Sequence, residues 1–229
     1  MLTVQDLHVY YGESHVIRGV SFELGDEETI AVMGRNGMGK TTLFKSLIGL
    51  LPARSGRVRL GEVDLTGKPS HERVAGGMAY VPQGRMIFPY LTVEENILTG
   101  LENATVKVVP EFVYETFPVL REMRGRHGGD LSGGQQQQLA IARALVANPR
   151  VLLLDEPTEG IQPSIIKDIA HTLNRLKRAK KFAIVVSEQV LSFAMELADR
   201  FLILEKGELA YEGRRADLDV GKIHAYLTI

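Results

Sequence analysis

Eight consecutive residues, Gly34-Arg-Asn-Gly-Met-Gly-Lys-Thr41, have the spacing of a phosphate-binding loop: two glycines with four residues between them, then a lysine and a hydroxyl. Gly34, Gly37 and Gly39 permit the backbone angles that turn successive N–H groups towards one point. Lys40 brings a cation to the outer phosphates, and the Thr41 hydroxyl is a ligand for Mg²⁺. Arg35, Asn36, Met38 and Thr42 complete the stretch that would surround a polyphosphate. A second constellation is Val151-Leu-Leu-Leu-Asp155-Glu156. Its apolar run reads as a strand buried on both faces, so both carboxylates emerge at the carboxyl edge, where ligands of open α/β sheets sit. There Asp155 can hold Mg²⁺, directly or through water, and Glu156 can orient and polarise an attacking water. A third constellation is Leu131-Ser-Gly-Gly-Gln135. Ser132 is a good helix N-cap, and Gly133 and Gly134 leave backbone N–H groups open to an anion.

These groups need a scaffold that brings them to one edge. Residues 29–33, just before the glycine loop, read as a short buried strand, and 42–51 as a helix stopped by Pro52. Residues 2–10 and 16–24 alternate as antiparallel strands, 57–60 and 78–81 as further strands, and 69–75 as a brief helix. From 86 to 130 the character is helical, with a capping box at Thr92-Val-Glu-Glu95 and a second helix over 111–123. A helix over 134–147 closes at Asn148-Pro149. Buried parallel strands at 151–154 and 182–186 flank a helix over 164–179. A hairpin of 201–204 with 208–211 and a helix over 214–227 end the chain. The layout is one unit spanning 1–229: an α/β nucleotide-binding core (1–85 and 148–229) interrupted by a helical insertion (86–147).

Composition narrows the classes. With 45% hydrophobic residues among 229, the chain can bury a substantial core. Lys plus Arg number 27 against 28 Asp plus Glu, which gives no reason to expect nucleic acid as a ligand. The absence of cysteine excludes a disulfide framework and fits a reducing compartment. The N-terminus lacks the basic and apolar regions of a secretory signal, and no apolar run is long enough to span a membrane. The expectation is a cytosolic protein that reaches a membrane, if at all, through a partner.

With these motifs in this order, the chain resembles the ATP-binding cassette of ABC transporters along essentially its whole length. The resemblance implies a P-loop NTPase cassette with a mainly parallel sheet core, an N-terminal antiparallel β-subdomain and an inserted helical subdomain. It implies ATP and Mg²⁺ as ligands, and ATP hydrolysis as the reaction. It also implies a head-to-tail dimer, homomeric or with a similar ATPase subunit, in which Ser132, Gly133, Gly134 and Gln135 act on the partner's ATP. Gln83 looks like the glutamine that touches Mg²⁺ and the attacking water, and Tyr11 like the aromatic that stacks on adenine. Where the family usually has a histidine facing the γ-phosphate, this chain has Gln189, a neutral donor. The six histidines lie elsewhere, as surface or structural residues.

Glu188-Gln189 is similar to importers of branched-chain amino acids and their amide- and urea-importing relatives. Three strings lean towards urea: Val81-Pro-Gln-Gly-Arg85 with Ile87-Phe-Pro89, Gln135-Gln-Gln-Gln-Leu-Ala-Ile-Ala-Arg143, and the run from Asp155 to Asp168. The implied partners are integral membrane permease subunits and, indirectly, a solute-binding protein, with the chain peripheral on the inner face of the cell membrane. Met86-Ile-Phe-Pro-Tyr-Leu91, through Phe88 or Tyr90, is the candidate permease contact. Two other readings stand beside the importer: a cassette ATPase acting on nucleic acid or ribosomes, and a nucleotide switch that barely hydrolyses.

Overall fold

The computed structural model describes residues 1–102 and 104–227. In chain order the strands β1 (Leu2–Tyr11), β2 (Ser14–Leu24) and β3 (Thr29–Met33) lead to helix α1 (Lys40–Leu47). Then come β4 (Ser55–Leu60), β5 (Val63–Asp64), α2 (Ser70–Ala75) and β6 (Met78–Val81). Helices α3 (Val93–Thr99), α4 (Glu111–Thr116), α5 (Pro118–Glu122) and α6 (Gly133–Leu145) follow. Strand β7 (Val151–Asp155), α7 (Pro163–Lys180), β8 (Ala183–Glu188), α8 (Leu191–Leu197), β9 (Arg200–Glu205), β10 (Glu208–Arg214) and α9 (Val220–Leu227) complete the chain.

Two sheets result. One is antiparallel, in the order β2-β1-β4-β5; the other has six strands in the order β10-β9-β3-β8-β7-β6. Strands β9, β3, β8, β7 and β6 run parallel, and only β10 joins antiparallel, through the expected hairpin. Every residue of β3, β7 and β8 is buried, which explains why their sequences are runs rather than alternations. Successive side chains still point to opposite faces. Ala31, Met33, Leu152, Leu154, Ile184 and Val186 pack towards α6, α7 and α8. Ile30, Val32, Leu153 and Val185 pack towards α1 and the antiparallel sheet.

The register aligns the chemistry. Met33 of β3 lies opposite Glu188 of β8, Asp155 of β7 opposite Ser187, and Val81 of β6 opposite Leu154. Four neighbouring strands therefore end at one edge. The loops leaving it carry the glycine stretch, Gln189, Glu156 and Gln83.

Several elements differ from the sequence expectation. The helix expected over 111–123 is two, because Pro118 has no N–H and pushes Phe117 out of helical geometry (φ −124°, ψ 75°). Helix α1 begins at Lys40 and ends before Pro52, where Gly49 turns left-handed at φ 80° and closes the last turn. Residue 214 ends strand β10, so the terminal helix begins only at Val220. Helix α8 and strand β5 were not anticipated; both are short. The Thr92 capping box is present, as is one at Ser132, closed by Gln135.

Arg73, almost fully buried, caps the end of α1. Its guanidinium donates to the carbonyls of Ser46 (3.0 Å), Leu47 (2.8 Å) and Lys68 (2.8 Å). A cation at a helix C-terminus opposes the dipole and satisfies carbonyls that have no intrahelical partner. Arg73→Met keeps the aliphatic bulk and removes these donors. It should cost about 2–3 kcal/mol of stability, read from urea unfolding.

Candidate active site

The glycine loop wraps a cavity of about 210 Å³ lined by Val16, Asn36, Gly37, Gly39, Lys40, Thr41, Thr42, Gln83 and Glu156. Two of its glycines have no substitute. At Gly34 (φ 154°) a Cβ would lie 2.4 Å from the Leu204 carbonyl oxygen, and at Gly39 (φ 107°) 2.9 Å from Ile17. Met38 does not face the cavity chemistry: its carbonyl accepts from Gly207 N, and its sulfur accepts from Lys206 N at 3.3 Å, anchoring the loop to the β9–β10 turn.

Lys40 is buried, and its Nζ donates to the carbonyl oxygens of Gly34 (2.8 Å) and Arg35 (3.1 Å). Its counter-charge is Glu156, with Nζ to Oε1 at 3.1 Å and side-chain exposures of 3% and 12%. Glu156 is held from both sides. Gln83 Nε2 donates to Oε2 at 3.1 Å, and Gln189 Nε2 donates to Oε1 at 2.9 Å while also donating to Asn36 Oδ1 at 2.7 Å. The Glu156 backbone is left-handed at φ 47°, a cost for a non-glycine residue that its two bonds to Ser187 offset: N to the Ser187 carbonyl at 3.0 Å and to Oγ at 3.1 Å.

Asp155 lies beneath, almost fully buried. Its Oδ1 accepts from Ser187 Oγ (2.5 Å) and Thr41 Oγ1 (3.3 Å), and its Oδ2 from the Tyr80 hydroxyl (3.1 Å). Burial pushes its carboxyl above the usual range, against the pull of those three donors. Burial, and then Asp155 itself, pushes the Tyr80 phenol up, so it stays a donor. The converging hydroxyl and carboxylate of Thr41 and Asp155 suit Mg²⁺, which takes one or two protein oxygens and draws the rest from phosphate and water. Neither Tyr80 nor Ser187 belongs to a recognisable motif, and sequence reading missed both.

The second anion segment lies apart. Ser132, Gly133, Gly134 and Gln135, with Gln138, Gly160, Gln162 and Ile165, line a separate cavity of about 400 Å³. Its N-cap is formed as expected: Ser132 Oγ accepts from Gln135 N at 3.4 Å, and Gln135 Oε1 accepts from Ser132 N at 2.9 Å. Tyr11, 48% exposed at the end of β1, is outside the residues lining either cavity.

Arg85 bridges the segments, a role that the string Val81 to Arg85 did not announce. Its guanidinium donates to the Glu159 carbonyl at 2.7 Å and, more weakly, to Gln136 Oε1 of α6 at 3.5 Å. Arg143 of α6 in turn donates to the carbonyls of Met86 (2.9 Å) and Arg85 (3.0 Å). The loop after Gln83 is thus tied to the loop after Glu156 and to the helix behind Ser132. Arg85→Ala should speed hydrogen exchange of the amides between 159 and 162 by about tenfold, the worth of one charged hydrogen bond, while leaving β7 protected.

The pattern that defines the ABC transporter family matches residues 17–159. The chain is 38% identical over 221 residues to the high-affinity branched-chain amino acid transport ATP-binding protein BraG of Pseudomonas aeruginosa, covering 95% of this chain and 94% of that one. It is 37% identical, over the same shares, to a probable branched-chain amino acid transport ATP-binding protein, LivF, of Archaeoglobus fulgidus. Among solved structures, a nucleotide-free ATP-binding cassette from an ABC transporter superposes with a TM-score of 0.81 at 28% identity, over 99% of this chain and 94% of that one. The ADP conformation of another such cassette gives 0.79 at 28%, over 98% of each.

Proposed function

The chain belongs to the ABC transporter family as an ATP-binding cassette, and from that premise we propose that it powers an importer of a small polar solute by binding and hydrolysing ATP between two subunits. The observation that carries the reading is the Lys40–Glu156 pair at the phosphate loop, 3.1 Å apart and nearly dry. An entering triphosphate offers Lys40 a stronger counter-charge. Glu156, released from the lysine yet still held by Gln83 and Gln189, can then align a water and polarise it for attack on the γ-phosphorus. Water oxygen bonds to phosphorus as the bond to the ADP oxygen breaks. Mg²⁺, held by Thr41 and Asp155 with Gln83 nearby, would neutralise phosphate charge. Gln189 serves as a neutral γ-phosphate sensor.

Ser132 to Gln135 complete the site in trans. Their separation from the glycine loop within one chain supports this, since neither cavity shares a lining residue with the other. Head-to-tail closure of two copies, or of this chain with a similar partner, would bring each segment over the other's nucleotide. ATPase subunits of this family work as dimers with membrane permease subunits. No helix among the described residues is long and apolar enough to cross a membrane, so contact with the bilayer would run through those permeases at the cytoplasmic face. Met86, Phe88 and Tyr90 are exposed, Tyr90 by 89%, and Met86 and Phe88 edge an open groove of about 380 Å³ with Val74, Tyr80 and Arg143. This groove is the proposed permease seat.

The similarity to BraG and LivF favours a branched-chain amino acid as the solute. Urea is the second reading, favoured only by the three strings Val81 to Arg85 with Ile87 to Pro89, Gln135 to Arg143, and Asp155 to Asp168. Uptake of labelled leucine and urea by cells with and without this chain decides between them: loss of leucine uptake alone is the expected result. In steady-state phosphate release, Glu156→Gln should lower turnover about 100-fold and Gln189→Ala about tenfold. Unchanged turnover and ATP affinity in Gln189→Ala would remove the sensor role.

A further inference from the structure

Glu188 ends β8 with 1% of its surface exposed, and no ion pair to it is formed among the described residues. Burying a carboxylate without a cation is expensive, and burial does push this one above its ordinary range. What holds it is a set of four donors. Oε1 accepts from the Thr158 hydroxyl (2.5 Å) and the Thr158 N–H (3.2 Å). Oε2 accepts from the N–H groups of Gln189 (2.8 Å) and Val190 (2.9 Å). Three of the four are backbone N–H groups, which can only donate, so both oxygens act as acceptors.

The two oxygens serve different loops. Thr158 lies two residues after Glu156, in the segment that runs past Gly160 to the second anion cavity. Gln189 and Val190 form the loop whose side-chain amide holds Glu156 and Asn36. We propose that Glu188 is a positioning residue for ATP hydrolysis: its carboxylate staples the loop carrying Glu156 to the loop carrying Gln189, and so sets the two side chains against each other. The proposal rests on the roles given above to Glu156 and Gln189. A neutral isostere cannot replace it. A glutamine brings one acceptor oxygen and an NH₂ group, and that NH₂ would face N–H donors on one of the two loops. Apolar packing between the loops would hold them together without this desolvation cost, but it would not fix a hydrogen-bond geometry.

The test is steady-state phosphate release by the full chain with MgATP, with thermal unfolding as a folding check. Glu188→Gln should lower kcat about tenfold, the equivalent of one charge-assisted hydrogen bond, with the KM for ATP within about twofold of wild type. Thr158→Val, which removes only the hydroxyl, should lower kcat about threefold in a protein that folds normally, and Thr158→Ser should restore it. Combined with Gln189→Ala, Glu188→Gln should cost little beyond the larger single loss, because the staple acts through the residue already removed. Turnover of Glu188→Gln within twofold of wild type would overturn the proposal, as would single losses that simply multiply, or a Thr158→Val enzyme indistinguishable from wild type. Glu156→Gln run alongside separates the two layers. If it still turns over normally, the roles assigned to the site fail; if it is dead while Glu188→Gln turns over within twofold of wild type, the staple alone fails.

Discussion

A buried ammonium must have an anion beside it. Lys40 satisfies two of its three protons on loop carbonyls and the remaining charge on Glu156, all within about 3 Å. Everything else at the sheet edge can be read as a consequence. The glycines exist so that carbonyls can reach Lys40 and N–H groups can reach phosphate. In the function proposed above, the two glutamines are neutral donors that keep hold of a carboxylate as it changes partners. Asp155, one residue earlier and one layer deeper, is kept from competing by three hydroxyls that occupy its oxygens.

The parallel sheet makes this possible. Four strands end in register, so loops as much as 153 residues apart in sequence meet at one line. Hydrogen bonds between those loops then make the line a unit. Asn36 meets Gln189, Gln189 meets Glu156, Glu156 meets Gln83, and Glu188 meets Thr158. A nucleotide that moves Lys40 off Glu156 therefore disturbs a connected set that extends through Arg85 to the helix behind Ser132.

Much of this was legible in the sequence, for identifiable reasons. The glycine loop, the acid pair and the Ser132 cap are local patterns with local physics, and the buried strands announce themselves as apolar runs. The fold class followed from their order. What escaped were contacts made by single residues across long sequence distances. Tyr80 and Ser187 on Asp155 depend on strand register, and Glu188 on Thr158 and Arg73 on the end of α1 depend on how loops and helices pack, neither of which a motif encodes. The break at Pro118 was local and could have been read. Helix α8 was hidden because seven residues are too few for a helical period to stand out against the strand before it. Tyr11 occupies the expected strand end, and the adenine contact expected of it depends on a ligand and not on packing within the chain.

The central claim is that triphosphate and Glu156 compete for one lysine. Equilibrium titration of wild type and Glu156→Gln with a non-hydrolysable ATP analogue and Mg²⁺ tests it without interference from turnover. Removing the competing charge should tighten binding about fivefold or more, on the scale of 1 kcal/mol. Equal or weaker binding by Glu156→Gln would contradict the account.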